Sequence, residues 1–520
     1  MAVVPKLNIV KNLTKRKVCI GLEIHATLKT KHKLFSNTIN HSNINFKQNS
    51  NANLFDLGFP GSLPVINNEA VCQAIKASLV LNANVNKFSQ FLTFYIYSYD
   101  LPLGYQITQK DHPIANYGFL DIMSGSKDFQ SKVKKRISIN QIQLEMDSAK
   151  SIQNNNYVYL DFNRSNQPVL EIVTNPTLES SDDTVSFLKL LLRELIHNEL
   201  TITNIEQGTF RTDVNISLTD SLDKFGTRCE IKHLSSFNSI KQAIDFEIER
   251  QNKLLDNGVE VQHETRGFNE KTLETFLLRE KEMDADYRFL PEPDLPIIEV
   301  SDRVIDTLRS ELPESLQARR ERLLSYGLSD YTVNVLMDQY KAVEFFEKCA
   351  KNRDKKKVAN WMVGEIFRFL NENAAEAAGL GDESSFNENQ ESVMSLSMND
   401  LPISAERLGE VIDLVDSEQV SALRGKNILR KILREKLTET PLQIAKDLGY
   451  IQMKIDLEEF NAIFEKIAAE NYKQIERLKG KKNAKKSLKG FFMGKFMSET
   501  KGKLNPLDCD KFLEEKLDQN

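Results

Sequence analysis

A chain of 520 residues with 40% hydrophobic residues, 28% charged residues and a net charge of −5 has the composition of an ordinary soluble protein of about three domains. No segment approaches the about 18 uninterrupted apolar residues of a membrane span, so a membrane-spanning helix is not expected. The five cysteines, Cys19, Cys72, Cys229, Cys349 and Cys509, are scattered and include no Cys-x-x-Cys pair; this argues against a disulfide framework or a cysteine zinc site and fits a reducing compartment.

The charge is unevenly spread. No acidic residue precedes Glu23, whereas Lys6, Lys11, Lys15, Arg16 and Lys17 are basic. Segment 1–17 reads either as a mitochondrial targeting segment, for which it is short and poor in Arg and Ser, or as a plain basic extension. Residues 18–28 then alternate. Ile20, Leu22, Ile24, Ala26 and Leu28 fall on one face, and Gly21, Glu23, His25 and Thr27 fall on the other, as in a half-buried strand. Glu23 and His25 point the same way, roughly 7 Å apart by strand rise, a spacing that suits a shared metal or phosphate-bearing ligand. A solvated strand face is the plain alternative.

Alternating runs recur at 95–99, 137–144, 169–173, 211–218 and 230–234, and one polar face in each points to antiparallel sheet. The Asn-rich run 37–53 has little to bury and is expected to be a mobile loop. Helices are predicted over 182–198, with Ser180, Ser181 and Asp182 as capping candidates, and over 239–255. After the Pro-rich stretch 291–296 the periodicity turns helical, over 313–324, 330–350, 356–372 and 404–436, with 377–399 as a linker. The last segment opens with an amphipathic helix near Leu457 and turns basic through Lys473, Arg477, Lys479, Lys481, Lys482, Lys485, Lys486 and Lys489. That run is either a solvated helix face or a contact for nucleic-acid phosphates. The expected fold is therefore α+β: a basic segment 1–17, an antiparallel β-rich domain 18–298, a helical domain 299–445 and a small helical tail domain 446–520.

Neither a Gly-x-x-x-x-Gly-Lys-Ser/Thr loop nor a Gly-x-Gly-x-x-Gly turn is present, so P-loop and dinucleotide-binding folds are unsupported. His263-Glu264 lacks the second His of a zinc protease motif. The chemistry-bearing candidates are acidic positions on short strands: Glu23 with His25, Glu145, Glu171, Asp213 and Glu230. Glu171 sits in an apolar run and needs a metal or a base beside it. Arg211, Asp213 and Asn215 share a face, as do Glu230 and Lys232. Carboxylates converging with one imidazole would suit Mg²⁺, which takes oxygen ligands and shares substrate phosphates.

The wording of the motifs adds a resemblance. Ile20-Gly21-Leu22-Glu23-Ile24-His25, Asp100-Leu101-Pro102 with Gly104-Tyr105-Gln106-Ile107, Asp161-Phe162-Asn163-Arg164, Leu170-Glu171-Ile172-Val173, Arg211-Thr212-Asp213-Val214-Asn215-Ile216-Ser217, Glu264-Thr265-Arg266-Gly267-Phe268 and the run from Asp286 to Leu295 occur in one order. Together with Gly494-Lys495-Phe496-Met497 near the end, they make the chain resemble the B subunits of glutamyl-tRNA(Gln) amidotransferase over essentially its whole length. The resemblance implies a β-rich cradle domain that uses ATP and Mg²⁺ to phosphorylate the γ-carboxyl of glutamate on misacylated tRNA(Gln). An amidase A subunit would then supply ammonia, and a small third subunit of C type or fungal F type would complete the complex. It implies a ligase, a glutaminyl-tRNA synthase of the glutamine-hydrolysing kind, and the Asn- and Lys-rich style with the basic N-terminus suggests the mitochondrial matrix.

Carried over by position, Glu23, His25, Glu171 and Asp213 match the family's Mg²⁺ motifs, and Glu145 and Glu230 match acidic positions close by. Lys479, Lys481, Lys482, Lys485, Lys486 and Lys489 are the expected tRNA contacts. Three departures stand out. Glu145-Met146-Asp147 replaces a Glu-Glu-Asp, Thr93-Phe94 replaces an Arg-Lys, and Leu103 replaces a Lys. They leave open a second reading, a tRNA-binding scaffold with lost or weak phosphotransfer. A free-standing metal-dependent phosphotransferase is disfavoured, because the basic tail would then have no role. Some members carry a four-cysteine zinc site, but Ser36, Thr38, Asn53 and Asp56 stand at the matching positions, so no zinc is expected.

Overall fold

The computed structural model describes residues 16–40, 47–124, 133–154, 156–201, 208–221, 224–234, 236–280, 288–339, 341–377, 398, 401–451, 457–479, 484–500 and 506–518. The chain forms two compact units, one reaching Leu316 and the other beginning at Gln317.

The first unit is built on strands β1 (Lys17–Thr27), β2 (Asn84–Val85), β3 (Phe88–Ser89), β4 (Leu92–Tyr95), β5 (Tyr105–Thr108), β6 (Ala115–Ser124), β7 (Val133–Met146), β8 (Lys150–Asn154), β9 (Tyr157–Asp161), β10 (Pro168–Thr174), β11 (Phe210–Thr219), β12 (Cys229–Leu234), β13 (Glu264–Asn269), β14 (Glu274–Glu280), β15 (Leu290–Pro291) and β16 (Ile298–Glu299). Nine of them form one sheet in the order β14-β13-β12-β11-β1-β10-β7-β6-β2, antiparallel except for the parallel β12–β13 pair. A small sheet, β15-β4-β5, lies against β7. Four helices accompany the strands: α1 (Asn68–Val80), α2 (Ser181–His197), α3 (Phe237–Asp256) and α4 (Asp302–Ser310).

β1 is the central strand because its two faces want different surroundings. Ile20, Leu22, Ile24 and Ala26 are at most 1% exposed, while Glu23 and His25 remain half-buried on the opposite face. Burying each large aliphatic side chain is worth about 1.5–3 kcal/mol, which fixes the strand's register against a one-residue slip. α2 packs on β6 and on α3, which in turn packs on β11, so the helices cover part of the sheet. α2 and α3 each begin at a serine whose hydroxyl accepts an orphan N–H: Ser180 from Asp183 for α2, and Ser236 from Ser239 for α3. α4 packs on α1, which extends the β-rich unit past residue 298.

Several expectations are corrected. The run 95–99 is a strand only up to Tyr95; Tyr97 and Tyr99 lie in the following loop, 96% and 64% exposed. The described part of the Asn-rich run is coil, yet its amides are fastened. Asn40 Nδ2 donates to Leu28 O at 3.0 Å, and Asn49 Nδ2 donates to Leu160 O at 2.9 Å. Alternation does not reveal α1, β6 or the β8–β9 hairpin.

The second unit is helical: α5 (Leu316–Ser325), α6 (Asp330–Asp338), α7 (Ala342–Cys349), α8 (Lys355–Trp361), a π turn (Met362–Ile366), α9 (Phe367–Ala377), α10 (Ala405–Asp416), α11 (Ala422–Glu435) and α12 (Pro441–Asp447). The periodic run 330–350 is broken at Lys341, whose φ of 59° ends one helix and starts another, and 404–436 breaks between α10 and α11. Of the expected linker 377–399, only Ala377 and Met398 are described. A second apolar core, containing Phe460, Phe464, Phe492, Phe496 and Phe512, is formed by α13 (Leu457–Glu470), α15 (Ala484–Glu499) and α16 (Pro506–Asp518), with α14 (Tyr472–Lys479) contributing Ile475.

One buried acid makes the first unit sensitive to pH. Burial raises the Glu194 carboxyl on α2 to about 7, from 4.5. A raised carboxylate costs nothing below the unfolded value and its full penalty above the folded one, so stability is lost as pH rises from 4.5 through 7. The penalty is on the order of 2 kcal/mol after discounting for partial exposure. Glu194→Gln is therefore expected to raise the unfolding temperature at pH 8. That gain should shrink toward zero as pH falls to 4.5; thermal denaturation across this range checks it.

Candidate functional site

The polar face of the large sheet collects side chains from five strands. Opposite His25 on β1 stand Glu171 on β10 and Arg211 on β11, and opposite Glu23 stands Asp213. Beyond these, Gln143 on β7 pairs with Glu171, and Glu230 on β12 pairs with Asn215. Directly opposed residues of antiparallel strands point to the same side, so these groups face one region. The sheet thus brings together all six of the acidic and imidazole candidates, in two groups. Ligand atoms of His25, Glu145 and Glu171 lie within 4.8 Å of one another, and so do those of Glu23, Asp213 and Glu230.

The groups differ in what neutralises them. In the second, Lys232 Nζ lies 2.7 Å from Asp213 Oδ2 and 3.1 Å from Glu230 Oε1. Burial works against the Lys232 charge, but Asp213 and Glu230 outweigh it and hold the ammonium above the ordinary lysine range. Thr265 Oγ1 donates to Glu230 at 3.1 Å, and Asn215 Nδ2 donates to Glu23 at 3.1 Å. Burial, with the charges of Glu171 and Glu230, pushes the Glu23 carboxyl up.

In the first group the direct partners are neutral. Gln106 and Thr108 of β5 donate to Glu145, and Gln143 donates to Glu171. Burial and the neighbouring Glu171 push the Glu145 carboxyl well above its usual range. Two crowded carboxylates and an imidazole, braced by amide and hydroxyl donors, fit a bound cation: oxygen and nitrogen ligands are in place, and a divalent ion would relieve the repulsion. His25, Glu145 and Glu171 are the residues that would hold it.

Asp147 takes a different part. Its carboxylate accepts from Arg211 Nη2 at 3.0 Å and has Arg164 Nε 3.7 Å away, placing a guanidinium at the edge of the first group. Met146 is fully buried on the opposite pleat from Glu145, so its replacement of a carboxylate leaves no gap on this face. Phe94 packs on Phe289 with ring centroids 5.1 Å apart, and Lys110 Nζ lies 4.5 Å from the Phe289 centroid. Gln106, Thr108 and Gln143 escape a reading of the sequence because amides and hydroxyls carry no charge signal. The roles of Gln106 and Thr108 follow from β5 lying against β7, and that of Gln143 from β7 pairing with β10.

The basic tail is less uniform than its sequence. Lys485 and Lys486 are exposed on α15, but Lys489 pairs with Asp510 at 3.0 Å and Glu514 at 3.6 Å. Lys479 ends α14, and Lys481 and Lys482 lie outside the described residues.

A sheet face of carboxylates and one imidazole, with lysine and arginine at its margins, is a candidate site for a cation and anionic groups on an α+β unit. Known proteins share this arrangement of domains. A family profile described as the GatB/GatE catalytic domain matches residues 18–306, and one described as the GatB domain matches residues 344–517. The chain is 35% identical over 514 residues to the B subunit of the mitochondrial glutamyl-tRNA(Gln) amidotransferase of Naegleria gruberi, covering 96% of this chain and 94% of that one. It is also 35% identical over 512 residues to the B subunit of the aspartyl/glutamyl-tRNA(Asn/Gln) amidotransferase of Rickettsia felis, covering 98% and 99%. The chain belongs to the family of tRNA-dependent amidotransferase B subunits.

Removing the ammonium from the second group tests the electrostatics. Lys232→Met leaves Glu23, Asp213 and Glu230 uncompensated and is expected to cost roughly 3 kcal/mol. Millimolar Mn²⁺ or Mg²⁺ should then raise the unfolding temperature of the variant more than that of the wild type. An equal response in both proteins would show that Lys232 is not the group's counter-charge.

Proposed function

We propose that this chain is the phosphorylating subunit of an ATP-dependent amidotransferase that converts Glu-tRNA(Gln) to Gln-tRNA(Gln) in mitochondrial translation. The observation that carries the reading is the cation-poor group His25–Glu145–Glu171, set beside Lys232 and Arg211 on one face. The names of the relatives, the mitochondrial one among them, and the basic segment 1–17 support it.

The chemistry needs little covalent participation from the protein. A carboxylate is a poor acyl donor; when its γ-oxygen bonds to the terminal phosphorus of ATP, ADP leaves and the carboxyl becomes an acyl phosphate. Ammonia from an amidase A subunit then attacks the carbonyl carbon and phosphate departs. Mg²⁺, when bound, neutralises charge on the phosphates. His25, Glu145 and Glu171 would hold that cation; Asp213 and Glu230 hold Lys232, whose ammonium and the Arg211 guanidinium would face the anionic reactants. Gln106, Thr108 and Gln143 keep the carboxylates oriented, so that positioning and electrostatics do the work. On the tail unit, Lys485 and Lys486 are exposed cations suited to tRNA phosphates; Lys479, Lys481 and Lys482 of the same run are expected to join them, and a small third subunit completes the complex.

The reconstituted complex should amidate Glu-tRNA(Gln) only with ATP and Mg²⁺, releasing ADP. The His25→Ala, Glu171→Ala double variant should lose roughly a thousandfold in rate. Full activity of that variant would remove the site from the chemistry. Amide formation without ADP release would remove the phosphorylation step.

A further inference from the structure

A fully buried ion pair in the first unit is far from obvious in the sequence. Lys33 and Asp56 have fully buried side chains, 0% exposed, and their charged atoms lie 3.1 Å apart. The three donors of the Lys33 ammonium are spent on oxygen: Asp56 Oδ2 at 3.1 Å, Asn51 O at 3.1 Å and Phe162 O at 3.3 Å. The Asp56 carboxylate collects four more donors. Ser36 Oγ and Asn166 Nδ2 reach Oδ1 at 3.0 Å each, and Thr38 Oγ1 and the Asn53 N–H reach Oδ2 at 2.8 and 3.0 Å. Ser36, Thr38, Asn53 and Asp56 are thus brought together, but hydroxyls and an N–H already donating to a single carboxylate do not fit a metal. Positive charge at this point comes from the chain itself.

Three separate stretches meet here: 33–38, 51–56 and 162–166. The last leads straight into the candidate site. Asn166 adopts a left-handed φ of 64°, its N–H donates to Asp147 O at 2.8 Å, and its carbonyl accepts from the Leu34 N–H at 3.0 Å. Two residues later β10 begins, carrying Glu171, and the Asp147 carboxylate holds Arg211.

We propose that Lys33 is a chain-borne cation that gathers these three stretches as a bound metal ion would, and is a positioning residue for the carboxylate face through Asn166 and Asp147. The positioning consequence rests on the function proposed above; the cation role does not. Burial lowers the Lys33 pKa while Asp56 opposes that shift, so the charged form is held by Asp56 and the carbonyls rather than by solvent. A buried ion pair tolerates loss of both charges far better than loss of one, and this gives the proposal its signature.

Thermal unfolding of the full chain tests it. Lys33→Met should lower the unfolding temperature by about 10 °C, and Lys33→Met with Asp56→Asn should unfold at a higher temperature than Lys33→Met alone. Lys33→Ala leaves a hole matched by n-propylammonium, and at about 50 mM this ion should restore at least half of the loss, whereas propanol should not. Rescue should not occur in Lys33→Met, whose side chain fills the hole. In the reconstituted complex, n-propylammonium should likewise restore the kcat of Lys33→Ala, with KM for ATP little changed. Equal rescue by propanol, or a double variant less stable than Lys33→Met, would overturn the cation role. These thermal results stand whether or not the complex phosphorylates its tRNA; recovery of stability without recovery of kcat would overturn only the positioning role.

Discussion

Like charges crowded on one sheet face repel, and the first unit is arranged around relieving that repulsion. Glu23, Glu145, Glu171, Asp213 and Glu230 project from β1 and from neighbouring or near-neighbouring strands on either side of it. Half of the face is relieved internally, because Lys232 sits between Asp213 and Glu230. The other half has amide and hydroxyl donors, which orient carboxylates without discharging them. This asymmetry separates a half whose charge is balanced by a lysine of the chain from a half whose direct donors are amides and a hydroxyl.

The strand order is what permits the crowding. β1 lies between β10 and β11, strands that follow it by more than a hundred residues, so the face assembles only when distant segments pair. The apolar side of β1 holds the register, and the polar side inherits its alignment from it. Lys33 adds three hydrogen bonds to a loop that also packs apolar groups, with Phe35 edge-on to Phe55 and Phe91. The Glu247 carboxylate, also fully buried, does a comparable job behind β13, taking donors from Arg250, Gln251 and Thr275.

Much of this was legible in the sequence because a period of two separates faces without knowledge of neighbours. Glu23 with His25, Arg211 with Asp213, and Glu230 with Lys232 could each be placed on a common face. Which strands adjoin could not be read, and so neither could the division into two charge groups. Met146 shows the limit of reading motifs as letters: the substitution looks like a lost carboxylate, yet the residue points into the apolar layer. Tyr97 and Tyr99 alternate like a strand but lie past the end of β4, outside every described strand. The helical breaks at Lys341 and between α10 and α11 fall inside continuous apolar periodicity, since backbone dihedrals at one residue can end a helix while the pattern of burial continues. The acidic partners of Lys489 lie on α16, more than twenty residues on, and no local signal announces them.

We propose that the face holds one divalent cation at His25, Glu145 and Glu171, and Mn²⁺ would report on it directly. A pulsed electron paramagnetic resonance spectrum of the protein with one equivalent of Mn²⁺ should show coupling to a single imidazole nitrogen, and the coupling should vanish in His25→Gln. A spectrum without nitrogen coupling, or one that His25→Gln leaves unchanged, would contradict the account.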